Sequence, residues 1–150
     1  MLYTVTVIAH NIFRWLVLLA AVWALWRAYR CWLGKRGWED ADAQAGFMLS
    51  LSLDIQALLG VILAFASPPV RVGFVNLAGA MQTPEIRFLL AQHMPLMLIG
   101  LVVVHITGAR AKKAGEDRVK HRWTALGYTL ALLMILVAIP WWRPLLRGIL

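Results

Sequence analysis

The chain has 150 residues, 61% of them hydrophobic, and carries 15 Lys and Arg against 7 Asp and Glu for a net charge of +8. That apolar share exceeds the ~45–50% of soluble domains, the mean hydropathy is +0.71, and the length holds one domain with no room for a separate soluble one. The positive charge gathers in loops between apolar runs, so positive-inside topology accounts for it and nucleic acid is not an expected partner.

The first apolar run covers residues 3–26 and contains His10 and Arg14. It starts almost at the first residue, lacks a basic flank and is too long for a signal-peptide core, so no cleavable signal is expected. Arg27, Arg30, Lys35 and Arg36 follow, mixed with Glu39, Asp40 and Asp42. Cys31 is the single cysteine, which leaves no intrachain disulfide, no CxxCH haem attachment and no paired-cysteine zinc motif. It reads as a small bystander near an interface.

The second run, residues 46–66, contains Asp54, Gln56 and Gly60 and is closed by Ser67-Pro68-Pro69. Residues 70–82 are too polar and broken to span and are expected to lie along the surface. Thr83-Pro84-Glu85 then reads as a helix start, with Thr as cap, Pro at the first helical position and Glu complementing the dipole. The third run, residues 84–109, contains Arg87, His93, Met97 and His105. Pro95 is predicted to free a carbonyl near Ala91 and to kink this run beside His93. A second basic loop contains His121, and the fourth run, residues 123–139, stops at Pro140-Trp141-Trp142.

Four runs of this length each cross a ~30 Å hydrocarbon core at ~1.5 Å per residue. The predicted fold class is all-α: an integral membrane antiparallel four-helix bundle in a single domain, residues 1–150. Two spans separate the basic loops, so both lie on one side, expected to be cytoplasmic, with both termini on the outer side. Trp32, Trp38, Trp123, Trp141 and Trp142 fall near run ends, as an aromatic belt would.

Ionisable residues inside such runs are costly and point to function. Counting along the helices puts His10 ~10 Å and His93 ~13 Å below the outer face, two imidazoles at one level on two helices. Neutral imidazole is a good haem-iron ligand, and bundle cores are where such sites are built. His10 and His93 are therefore the expected axial ligands of one haem b. Another metal, a proton path, or interhelical hydrogen bonding are the competing uses of the pair.

Arg14 follows His10 by four residues and shares its face. Its buried guanidinium needs an anion. Asp54 and a haem propionate are the two candidates, and the Arg14–Asp54 ion pair is the favoured one. Arg87 is a second propionate partner or a snorkelling side chain. Met97 shares the face of His93 and lines the same pocket or simply packs. His105 and His121 form a minority second haem site. A stacked second haem needs His93 and His105 on one face, but twelve residues put them ~120° apart, and solvated or interfacial roles are favoured for His105 and His121. Gln56 is hydrogen-bonding glue or a contact for a quinone. Gly60 and Gly100 are expected to permit close helix approach.

The order His10-Asn11-Ile12-Phe13-Arg14-Trp15, Asp54-Ile55-Gln56, Arg87-Phe88 ahead of Gln92-His93-Met94, Lys120-His121 and Ile139-Pro140-Trp141 resembles a family of small four-helix bacterial membrane proteins labelled cytochrome b. The resemblance covers nearly the whole chain. It implies haem b, electron transfer and the bacterial inner membrane, with a histidine often standing where this chain has Asp54.

Three functions follow from these residues. The first is a b-type cytochrome passing electrons to or from a quinone or a larger respiratory or photosynthetic complex, as a subunit or homodimer among membrane lipid. The second is a non-redox accessory subunit, and the third a small proton or ion transporter. A stand-alone catalyst is less favoured, as no Gly-x-Ser-x-Gly or HExxH motif is present.

Overall fold

The computed structural model describes residues 1–143. Among these the chain is all-helical, and four of its helical segments are long and apolar enough to cross a membrane. Helix α1 covers Leu2–Leu33 and α2 Asp40–Ala66. Two short helices follow, α3 at Pro68–Val75 and α4 at Leu77–Gln82. The third long segment is composite: α5 at Pro84–Phe88, a π-helical turn at Leu89–His93, and α6 at Met94–Lys113. Helix α7 covers Asp117–Ala138.

Residues 70–82, expected to be too polar and broken to span, lie mostly in these two short helices. Pro68 and Pro69 sit at the start of α3, where a missing N–H costs nothing. The Asn76 side chain accepts from Gly79 N–H at 2.9 Å and starts α4. Pro84 takes the first turn of α5 as expected, but the Thr83 side chain does not cap it. Its hydroxyl turns back to the Gly79 carbonyl at 3.5 Å.

Pro95 acts where the sequence places it. Its ring cannot accept an ordinary helical turn behind it, and the chain widens into the π turn that ends on His93. The extra residue in that turn rotates the helix before it relative to α6.

Helix α1 packs against α2 and α7, and α6 packs against α7 and α2. Buried positions of α1 recur every three or four residues: Asn11, Arg14, Val17, Ala21, Ala24, Ala28 and Cys31. Small residues in the second half of that stripe let α2 and α7 approach closely. Leu49 and Leu53 of α2, Val104 of α6, and Tyr128, Ala131 and Ile135 of α7 complete the core. Gly100 faces Ile135 and Ala131 as expected of a small contact residue. The tighter approach lies lower, where a side chain on Gly127 would run into Thr107. Tyr29 and Thr129 share a hydroxyl hydrogen bond of 2.9 Å between α1 and α7.

The two basic connections meet at one end. Trp38 N–H donates to Asp117 Oδ2 at 3.0 Å, and the Trp38 ring lies 5.0 Å from that of His121. At the other end the start of α1, the end of α2, α5 with its π turn, and the end of α7 come together. Past α7 the chain turns at Pro140, the Trp142 ring meets Phe88 edge-on at 4.5 Å, and Arg143 reaches Glu85 at 3.7 Å.

Candidate functional site

The second of these ends encloses a cavity of about 410 Å³, within the range of small-molecule sites. His10 and Arg14 reach it from α1, Gln56 and Gly60 from α2, His93 and Met97 from the composite helix, and Arg143 from the segment after α7. The rest of its lining is largely aliphatic.

Counting residues correctly levels the two histidines, and the structure brings their rings to 6.3 Å between centres, inclined at 69°. About 2 Å for each metal–nitrogen bond, plus roughly 1.1 Å from each nitrogen to its ring centre, gives about 6 Å between two imidazoles across one metal. The observed 6.3 Å is close to that separation.

His93 Nδ1–H donates to the Ala138 carbonyl at 2.8 Å. A carbonyl only accepts, so the proton is on Nδ1 and the lone pair on Nε2. That is the arrangement of a metal-ligating histidine, whose other nitrogen is held by a carbonyl or carboxylate. His10 Nε2 lies 3.1 Å from Gln56 Nε2, while His10 Nδ1 and Gln56 Oε1 are buried without hydrogen-bond partners. The orientation of an amide is an assignment from its hydrogen bonds. In this orientation the amide N–H donates to the His10 Nε2 lone pair, and a half-turn would instead present Oε1 to Nε2–H while moving the NH2 into the unpartnered position. A Cβ on Gly60 would sit only 3.6 Å from the His10 ring.

Arg14 and Met97 line the cavity as the sequence suggests. Arg87 does not: its guanidinium donates to the Met81 carbonyl at 3.2 Å on the exposed side of α5. Arg143, which the sequence did not single out, supplies the second cation of the cavity wall. Gln56 serves His10 rather than standing free for a quinone.

The expected Arg14–Asp54 ion pair is replaced by a different one. His105 Nε2–H donates to Asp54 Oδ1 at 2.8 Å, with both side chains about half exposed, 50% and 48%. Asp54 is adjacent to Leu53 but ~100° around the helix from it, so it turns toward α6 while Leu53 and Gln56 turn inward. His105 and His121 are not brought together. His121, expected to be solvated or interfacial, is fully buried at 0% exposure.

His121 instead belongs to a group with no recognisable spacing along the chain. Its ring nitrogen, Cys31 Sγ and an Asp42 oxygen lie within 4.8 Å of one another, all three residues buried. Asp42 also accepts from Arg27 Nε at 2.6 Å through Oδ1 and from Glu39 N–H at 2.9 Å through Oδ2. Residues from three helix ends meet here across two loops, so no local motif announces them.

Comparison of the chain with protein-family models, with curated proteins and with solved structures returned no match.

Proposed function

We propose that the protein is a b-type membrane cytochrome, an antiparallel four-helix bundle of the inner membrane with one haem b between His10 and His93. The observation that carries this reading is the 6.3 Å imidazole pair in a cavity that also holds Arg14 and Arg143. Membrane insertion is supported by the outward faces of the long helices, where Leu19, Leu58, Phe65, Leu133 and Val137 are more than half exposed. Such a surface suits hydrocarbon and would be an aggregation hazard in water. The basic loops at the Trp38–His121 end favour that end as cytoplasmic, with both termini and the cavity toward the outer side.

Haem when bound supplies one-electron transfer at its iron. The chain's residues do the rest. His93 is held in its ligating tautomer by the Ala138 carbonyl, and Gln56 fixes the His10 ring. Arg14 and Arg143 line the cavity and would hold two propionates by charge-assisted hydrogen bonds, Arg143 beside its 3.7 Å contact with Glu85. The aliphatic lining excludes water and, with the two cations, sets the local potential. The partners of such a protein are a quinone or a larger membrane complex, in which it is a subunit, or a second copy of itself. A reduced-minus-oxidised spectrum of the purified protein tests the reading: b-type bands support it, and protein free of haem from haem-replete cells refutes it.

The alternative of a non-redox accessory subunit draws support from the same bonds. His10–Gln56 and His93–Ala138 each join two helices and would act as polar glue. It leaves the buried His10 Nδ1 without a partner, which is why the haem reading is preferred.

A further inference from the structure

At the basic end, some 21 residues or about 32 Å along α1 from His10, three metal-ligating side chains converge without any role in the cavity. We propose that Cys31, Asp42 and His121 form a site for a single divalent metal ion of the zinc class.

The donor set is sulfur, nitrogen and oxygen, the mixed borderline set that zinc accepts. Tetrahedral bonds of about 2.3 Å to sulfur and 2.0–2.1 Å to nitrogen and oxygen place ligand atoms roughly 3.3–3.5 Å apart. Here Sγ lies 4.0 Å from Asp42 Oδ1, and all three ligand atoms fall within 4.8 Å of one another. Side-chain adjustments of about 1 Å close the set around an ion at those bond lengths.

A second observation points to a ligand independently. His121 is 0% exposed, and its Nδ1 is buried with no hydrogen-bond partner. The other nitrogen faces the Gly37 carbonyl at 3.4 Å and donates to it. This leaves the Nδ1 lone pair as the donor, in the carbonyl–histidine–metal arrangement usual for ligating histidines. The Trp38 ring, 5.0 Å away, backs the imidazole.

Charge balances as well. A Cys31 thiolate and the Asp42 carboxylate neutralise a divalent ion. Arg27, which shares Asp42, is also held by Glu39 Oε2 at 2.7 Å, so it stays compensated when Asp42 turns an oxygen to the metal. The site would join the end of α1, the first turn of α2 and the second turn of α7. Three protein ligands leave the fourth position for water or another small donor.

The test uses the full chain, untagged, in detergent, stripped of metal and titrated with cobalt(II). The expected result is one cobalt per chain with a thiolate-to-cobalt charge-transfer band, displaced by zinc. Cys31→Ser should abolish the band while keeping the wild-type circular dichroism. His121→Gln should weaken cobalt binding at least tenfold, and His10→Ala with His93→Ala should leave the band in place. Should Cys31→Ser fail to fold, the wild-type spectrum and His121→Gln still decide. No thiolate band in the wild type, a band that survives Cys31→Ser, or unchanged affinity in His121→Gln overturns the proposal. Because the band comes from sulfur, its presence or absence is independent of whether haem occupies the other end.

Discussion

Asp42 holds the entry to α2 by two different bonds, and replacing it with alanine removes both. Its Oδ2 accepts from Glu39 N–H at 2.9 Å, a helix-start contact worth about 1 kcal/mol. Its Oδ1 accepts from Arg27 Nε at 2.6 Å, a charge-assisted bond in the range of about 1.5–3 kcal/mol. Arg27 keeps Glu39 at 2.7 Å, whose side chain is 61% exposed, so the lower half of that range applies to the loss. Asp42→Ala should therefore destabilise the protein by about 2.5–3.3 kcal/mol. The assay is denaturant unfolding in mixed micelles with chelator present, followed by tryptophan fluorescence, so that metal makes no contribution. A double-mutant cycle with Arg27→Met isolates the pair and should return a coupling of about 1.5–2 kcal/mol. A loss below about 0.5 kcal/mol, the size of an ordinary surface substitution, would refute the reasoning. It would mean that the two bonds do not hold the helix start.

Gln56→Leu removes the group that fixes His10 without changing the apolar volume much. Haem affinity should fall about 10–100-fold, as for other residues that orient a ligand, with helix content unchanged by circular dichroism. Unchanged haem occupancy under limiting haem would contradict the positioning role. Gly127→Ala places a methyl group on the Thr107 side chain and should cost about 1–3 kcal/mol by overpacking. Adding Thr107→Ala should recover most of that in the same unfolding assay. In a Cys31→Ser background, Gly115→Cys should be labelled by a membrane-impermeant maleimide only from the cytoplasmic side and Ala78→Cys only from the outer side. The reverse pattern would invert the proposed orientation.

How far the sequence carries depends on which coordinate a residue needs. Depth is readable, since each residue rises ~1.5 Å whatever the helix faces. Counting placed His10 and His93 at one level, and their rings meet. Rotation is not readable when a helix is apolar all round, because no stripe marks the inner face. That is why Asp54, at the right depth for Arg14, points instead to His105. Arg14 and Met97 were legible because a spacing of four from a neighbour fixes rotation locally. Pro95 announced a disturbance beside His93, but not that it takes the form of a π turn. The group of Cys31, Asp42 and His121 was invisible for a different reason. It forms from three helix ends that only the packing of α1, α2 and α7 brings together. Arg143 was missed because its place depends on how the chain turns back after Pro140.

The central claim is the axial pair, and haem stoichiometry across three proteins tests it most directly. Wild type, His10→Ala and His93→Ala are to be purified from haem-replete cells. Each is measured by pyridine haemochrome and by a dithionite-reduced minus air-oxidised spectrum. About one haem b per chain is expected in the wild type and its loss in each variant, with helix content retained. A wild-type protein without haem, or haem that persists at full occupancy in both variants, would contradict it.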